Sequence, residues 1–223
     1  MSVESGHSVG KSGARISSLL TPATLQDERS HVLIVGPALT GKLAIGFEVL
    51  AAVAGESGAI CVSTTEPVDR IRAGYDGAGG AVDGLRIVDA TASESDDDAD
   101  RVFSVSTPGD LTGVGIAIAE ATDSIDDGVP PVLIDSLSTL LMYNDVETVY
   151  RFADSVRSQT RDGAGVTIST LNTDALGETE RSRLLTLASV VVEVRVDDQG
   201  RREFQIRTDD EESSEWHAAP GHE

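Results

Sequence analysis

The sequence predicts an α/β protein with a mainly parallel central sheet, helices on both faces, and an antiparallel hairpin at its C-terminal end. Three observations carry this reading. Short apolar, β-branched runs alternate with stretches of helical periodicity, the pattern of βαβ units. The first run leads into G-x-x-x-x-G-K, which opens the first long helical stretch. The last two runs are split by Asp197-Asp198-Gln199-Gly200, a turn sequence that reads as a hairpin.

Each element follows in order. His31 to Val35 (HVLIV) is a buried strand bounded by Gly36, and Gly41 to Ala54 is a helix with Gly55 beyond its end. Ala59 to Thr64 is the second strand, and Val68 to Tyr75 is a short helix ended by the Gly77-Ala78-Gly79-Gly80 loop. Leu85 to Val88 is the third strand, followed by the acidic run Glu94 to Asp100, read as a solvated loop. Leu111 to Ser124 is a helix ending at the Asp126-Asp127-Gly128 turn, and Pro131 to Ile134 is the fourth strand. Val146 to Thr160 is a helix and Gly165 to Thr170 the fifth strand; Ser189 to Val196 and Arg202 to Arg207 form the hairpin. The expected organisation is a flexible tail over 1–14, one domain over 15–208, and an acidic disordered tail over 209–223. Trp216 in that tail is read as exposed or disordered.

The 223 residues carry 17 Lys+Arg against 38 Asp+Glu, a net charge of −21. Only Lys11 and Lys42 are lysines; the other cations are fifteen arginines. Acid-rich, lysine-poor composition is the pattern of cytoplasmic proteins adapted to multimolar salt, so the charge reports the solvent more than a partner. With no basic stripe, nucleic acid is not an expected partner. No apolar run reaches the ~18 residues of a membrane helix, so membrane insertion is not expected. Cys61 is the only cysteine and lies in an apolar strand, where it reads as core; the histidines show no metal-ligand spacing.

The chemistry is concentrated in Gly36-Pro37-Ala38-Leu39-Thr40-Gly41-Lys42. Between a strand and a helix, successive backbone N–H groups of such a loop wrap a phosphate, and the lysine bridges the outer phosphates. One of two lysines in the chain occupies the motif's lysine position. The next residue, Leu43, stands where Ser or Thr would give Mg²⁺ a hydroxyl. Gly6-His7-Ser8-Val9-Gly10-Lys11-Ser12 imitates the motif with one residue too few and no strand before it. Asp135 ends the apolar run Val132-Leu133-Ile134, the place where an acid holds a metal or its water shell. Glu66 ends the second strand; two readings stay open, a base that orients water or a first-turn acid beside Pro67. Asp89 reads as structural, and Ser169 to Asn172 as either a phosphate sensor or a polar loop.

In that order, the motifs resemble the RecA-like P-loop ATPase superfamily, and specifically its KaiC/RadA-type archaeal branch, as a divergent haloarchaeal-type member with degenerate motifs. The resemblance covers about residues 15–207 and implies a RecA-like three-layer fold. By position it implies nucleotide binding by Gly36, Pro37, Ala38, Leu39, Thr40, Gly41, Lys42 and Leu43, a catalytic role for Glu66, and indirect Mg²⁺ binding by Asp135. ATP is the implied ligand, with Mg²⁺ weakened by Leu43. Where the family carries Lys-x-Arg reaching a neighbouring subunit, this chain has Gln205-Ile206-Arg207, leaving Arg207 as the trans contact.

The expected function is a cytoplasmic nucleotide-binding regulatory or assembly protein, at most a weak ATPase, partnered by nucleotide and by a homo-oligomer or related RecA-like protein. Two alternatives are a pseudo-ATPase acting only through protein contacts, favoured by Leu43, and an active oligomer-dependent ATPase or recombinase paralogue.

Overall fold

The computed structural model describes residues 16–20, 31–55, 57–91, 101–126, 128–161, 165–174, 176–208 and 215–219. The imitation loop at 6–12, the acidic run at 94–100 and both expected domain boundaries (14/15 and 208/209) involve residues outside that set.

The chain runs α1 (Ile16–Leu19), β1 (His31–Gly36), α2 (Lys42–Ala54), β2 (Ala59–Ser63), α3 (Val68–Gly77), β3 (Leu85–Asp89), β4 (Val102–Ser104) and α4 (Leu111–Asp123). It continues β5 (Val132–Asp135), α5 (Leu137–Leu140), α6 (Val146–Arg161), β6 (Thr167–Asn172), α7 (Glu178–Leu185), β7 (Val190–Val196), β8 (Arg202–Thr208) and β9 (His217–Ala218). The sheet order is β4-β3-β2-β5-β6-β1-β7-β8-β9. The strands from β4 to β7 pair in parallel, and β8 and β9 join antiparallel at one edge.

Alternation along the strands divides the core into two layers. In β1, Val32 and Ile34 face α1, α2 and α3, while Leu33 and Val35 face the α4–α7 side. Cys61 packs in the first layer and is fully buried, as its apolar strand predicts. Helix α6 buries Val149, Ala153, Val156 and Thr160, a three-to-four-residue spacing that makes one inward stripe. The expected α/β architecture with helices on both faces is therefore the observed one.

Three features depart from the expectation. Strand β4 and helices α5 and α7 are short, and none has enough periodic residues to stand out in sequence. Helix α7 is held at its start by Glu180, whose Oε2 accepts from Gly177 N at 3.1 Å. The acidic tail contains β9, which pairs with β8 and sets the His217 ring 5.6 Å from Phe204. Trp216 is half-buried rather than exposed, with the Arg195 guanidinium 3.7 Å from its ring centre. His31, in keeping with its place in the first apolar run, is fully buried at the start of β1, with Nε2 3.0 Å from Ser169 Oγ.

Candidate functional site

The parallel strands place their C-terminal ends on one rim, and β5 and β6 lie between β1 and β2. Clefts of this kind are where ligands bind in open α/β sheets. The rim gathers Gly36 from β1, Asp135 from β5, Thr170 from β6 and Glu66 from just after β2.

The Gly36–Lys42 loop joins β1 to α2, and its glycines sit where the backbone requires them. At Gly36, a Cβ would lie 2.3 Å from the Val194 carbonyl oxygen, so only glycine lets β7 pass this closely. Gly41 has φ +83° and caps α2, conditions that favour glycine again. Leu39 also has positive φ, 63°, and is 95% exposed. Thr40 folds its hydroxyl inward to the Pro37 carbonyl at 2.9 Å.

Lys42 is buried, 7% exposed, with Nζ donating to the Pro37 carbonyl at 2.5 Å. Burial holds its pKa below the usual lysine value, against the opposing pull of the Asp174 and Asp135 carboxylates. Leu43 is half-buried and packs against the α2-side core, so the residue after the lysine serves packing and offers no hydroxyl.

Asp135 is likewise buried, and its Oδ1 accepts from Thr170 Oγ1 at 2.6 Å. Burial raises its pKa; the Glu66 charge adds to the rise, while the Thr170 hydrogen bond and the Lys42 charge oppose it. Thr64 clasps β2 to β5, donating from Oγ1 to the Asp135 carbonyl at 2.8 Å and accepting from Ser136 N at 2.9 Å. Glu66 pairs with Arg70 at 3.6 Å on the first turn of α3, and its carbonyl accepts from Ser63 Oγ at 2.6 Å. Asp89 holds Thr91 through its N and Oγ1, a turn-forming arrangement.

Two residues at the loop were not singled out by the sequence reading. Asp174, just beyond β6, accepts from Ala38 N at 3.3 Å. Its position past a strand's C-terminal end is the signal that could have found it. Arg202, the first residue of β8, lies with its guanidinium against Gly41, and no sequence motif marks it. Arg207 of β8, by contrast, pairs with Val191 of β7, whereas Arg202 pairs with Val196 at the rim end of β7. Arg207 is exposed and belongs to the half of the strand away from this chain's own Gly36–Lys42 loop.

These residues fit a phosphate group: amides around an α-helix N-terminus, a buried lysine and a nearby arginine. They fit a protein-held Mg²⁺ poorly, because Leu43 lacks an oxygen and Asp135 Oδ1 is engaged by Thr170. Among the described residues, no group of three or more His, Cys, Asp or Glu could hold a metal ion. Beside the rim, a groove of about 380 Å³ is lined by Ser138, Leu141, Met142, Asn144, Asp145 and Leu176, among others. Met142 is 79% exposed, with the exposed Tyr143 next to it. No described helix is long and apolar enough to cross a membrane.

Comparison with solved structures shows the RecA-like fold. The flagellar accessory protein FlaH of Methanocaldococcus jannaschii is 15% identical over 80% of this chain and 77% of its own, with a TM-score of 0.57. The uncharacterized protein PH0321 of Pyrococcus horikoshii, solved in complex with an unknown peptide, is 15% identical over 81% of this chain and 84% of its own, with a TM-score of 0.56. Likeness at this identity extends to the fold alone. No curated protein matches the chain. The model of a family of unknown function (DUF7504) matches residues 29–194.

Proposed function

The chain belongs to that family of unknown function, and from its rim we propose that it is a nucleotide-binding regulatory or assembly protein, with ATP as ligand and weak or absent hydrolysis. The observation that carries this is Lys42, buried within a G-x-x-x-x-G-K loop at the junction of β1 and α2. Desolvating an ammonium is costly, and the loop carbonyl at 2.5 Å is a modest return unless an anion completes the site. Glu66 is the proposed water-orienting acid and Asp135 the acid nearest any metal. Arg207, exposed on β8, is free to reach a second copy or a RecA-like partner.

FlaH is an accessory protein and PH0321 was solved with a bound peptide; both support a role exercised through protein contacts. A second reading, a pseudo-ATPase working by contacts alone, is favoured by Leu43 in the core and by Met142 and Tyr143 exposed beside the groove.

Titration calorimetry with ATP separates the two. Lys42→Ala is expected to weaken binding by more than about tenfold, since a charge-assisted phosphate contact contributes about 1.5–3 kcal/mol. Equal affinity of the variant and the wild type would remove this loop as the site. Absence of binding by both would favour the pseudo-ATPase.

A further inference from the structure

The β8 strand brings a cation to the phosphate loop from outside the motif. A Cβ added at Gly41 would meet Arg202 Nη1 at 2.9 Å and its guanidinium carbon at 3.3 Å, so the charged head lies directly against the residue before Lys42. The alternation of β8 explains its direction: Phe204 and Ile206 pack with the α2-side core, and Arg202 shares their face. Asp197 fixes the strand's start by accepting from the N–H groups of Gln199 and Arg201 in the preceding turn. The Arg202 carbonyl is held by Ala219 N at 2.9 Å.

The guanidinium itself has no hydrogen-bond or ion-pair partner among the described residues. Neighbouring arginines are taken: Arg195 by Glu203 at 2.9 Å, Arg201 by Asp197 at 2.7 Å, Arg181 by Glu193 at 3.9 Å. Lys42 and Arg202 thus approach the loop from α2 and from β8, on the same rim where the oxygen ligands for a metal are depleted. A guanidinium presents a planar fork that matches phosphate oxygens, and it supplies positive charge without a metal.

We propose that Arg202 is a second phosphate-binding cation of this loop, and that with Lys42 it lets the chain hold a nucleoside triphosphate without magnesium. The inference rests on the nucleotide-binding reading above and adds to it how the phosphates are neutralised.

The test is ATP calorimetry on the full chain, in EDTA and in Mg²⁺, at the KCl concentration of highest melting temperature. Wild-type affinity is expected to agree within about threefold between the two buffers, and R202Q to bind at least about tenfold more weakly in both. R202K keeps the charge but loses the fork, and is expected to bind about three- to tenfold more weakly. R101Q, which changes net charge equally at the far edge of the sheet, should bind as the wild type does. Melting curves establish that each variant is folded, and R202K carries the comparison if R202Q is not. Wild-type affinity in a folded R202Q or R202K would overturn the role of Arg202 and leave nucleotide binding standing. A wild-type loss of tenfold or more in EDTA would overturn metal independence. Failure of the wild type to bind ATP in either buffer would fell the nucleotide-binding reading itself, a distinct result.

Discussion

The Asp174 carboxylate accepts a hydrogen bond from the Ala38 amide, 3.3 Å away, and so places a negative charge on the Gly36–Lys42 loop itself. A bound phosphate would share the loop with that charge. Asp174→Asn is therefore expected to tighten ATP binding by about threefold to tenfold, through loss of like-charge repulsion. Weaker binding by the variant would mean that Asp174 orders the loop and that its charge is secondary.

Hydrolysis should be slow. Phosphoryl transfer depends on a metal, a water-orienting acid and a cation around the γ-phosphate, and losing one such element costs ~10²–10³ in rate. Leu43 removes the metal's hydroxyl, and Gln205 stands where the resemblance expects a lysine. Turnover below about one per minute is expected, under the usual range of about 1–10³ s⁻¹. Leu43→Ser should make ATP binding respond to Mg²⁺ before it raises the rate. Phosphate release faster than about 1 s⁻¹ in the wild type, abolished by Glu66→Gln, would show a working ATPase.

Acid should weaken the fold through His31. Burial, assisted by the Arg157 charge, lowers its pKa from 6.5 to about 3 in the folded state. Above pH 6.5 the ring is neutral in both states and its contribution is intact. As pH falls from 6.5 towards 3, the unfolded chain takes up a proton that the folded chain refuses, and stability declines. The slope from this residue approaches about 1.4 kcal/mol per pH unit. Urea unfolding between pH 5 and 6.5, before most carboxylates titrate, should show a shallower slope in His31→Gln. Identical slopes would assign the effect elsewhere.

Salt should stabilise the chain. With a net charge of −21, self-repulsion acts over ~30 Å in about 0.01 M salt and over only ~3 Å in about 1 M. The melting temperature is expected to rise between about 0.05 and 2 M KCl. A flat or falling curve would remove the salt-adaptation reading of the composition.

The layered α/β architecture was legible in the sequence, as was the junction of β1 with α2 at the glycine-punctuated G-x-x-x-x-G-K segment, because both rest on local pattern. Val32 to Val35 is β-branched and apolar enough to be a buried strand wherever it sits, and Gly36 and Gly41 punctuate the loop in a way few other structures need. Leu43, after the lysine, marks the missing hydroxyl by sequence position alone. Tertiary structure alone decided what surrounds that loop. Asp174 reaches Ala38 across 136 positions of chain, and Thr170 reaches Asp135 across 35, through strand order that no short-range pattern encodes. Arg202 is more remote still: it meets Gly41 only because β7 joins the sheet beside β1 and the hairpin folds back at the rim. The same cause set His31 against Ser169 and Trp216 against Arg195. Pairing between distant strands fixes which side chains meet, and its energy comes from burying whole sheet faces, so nothing in the immediate neighbourhood of either residue carries the signal.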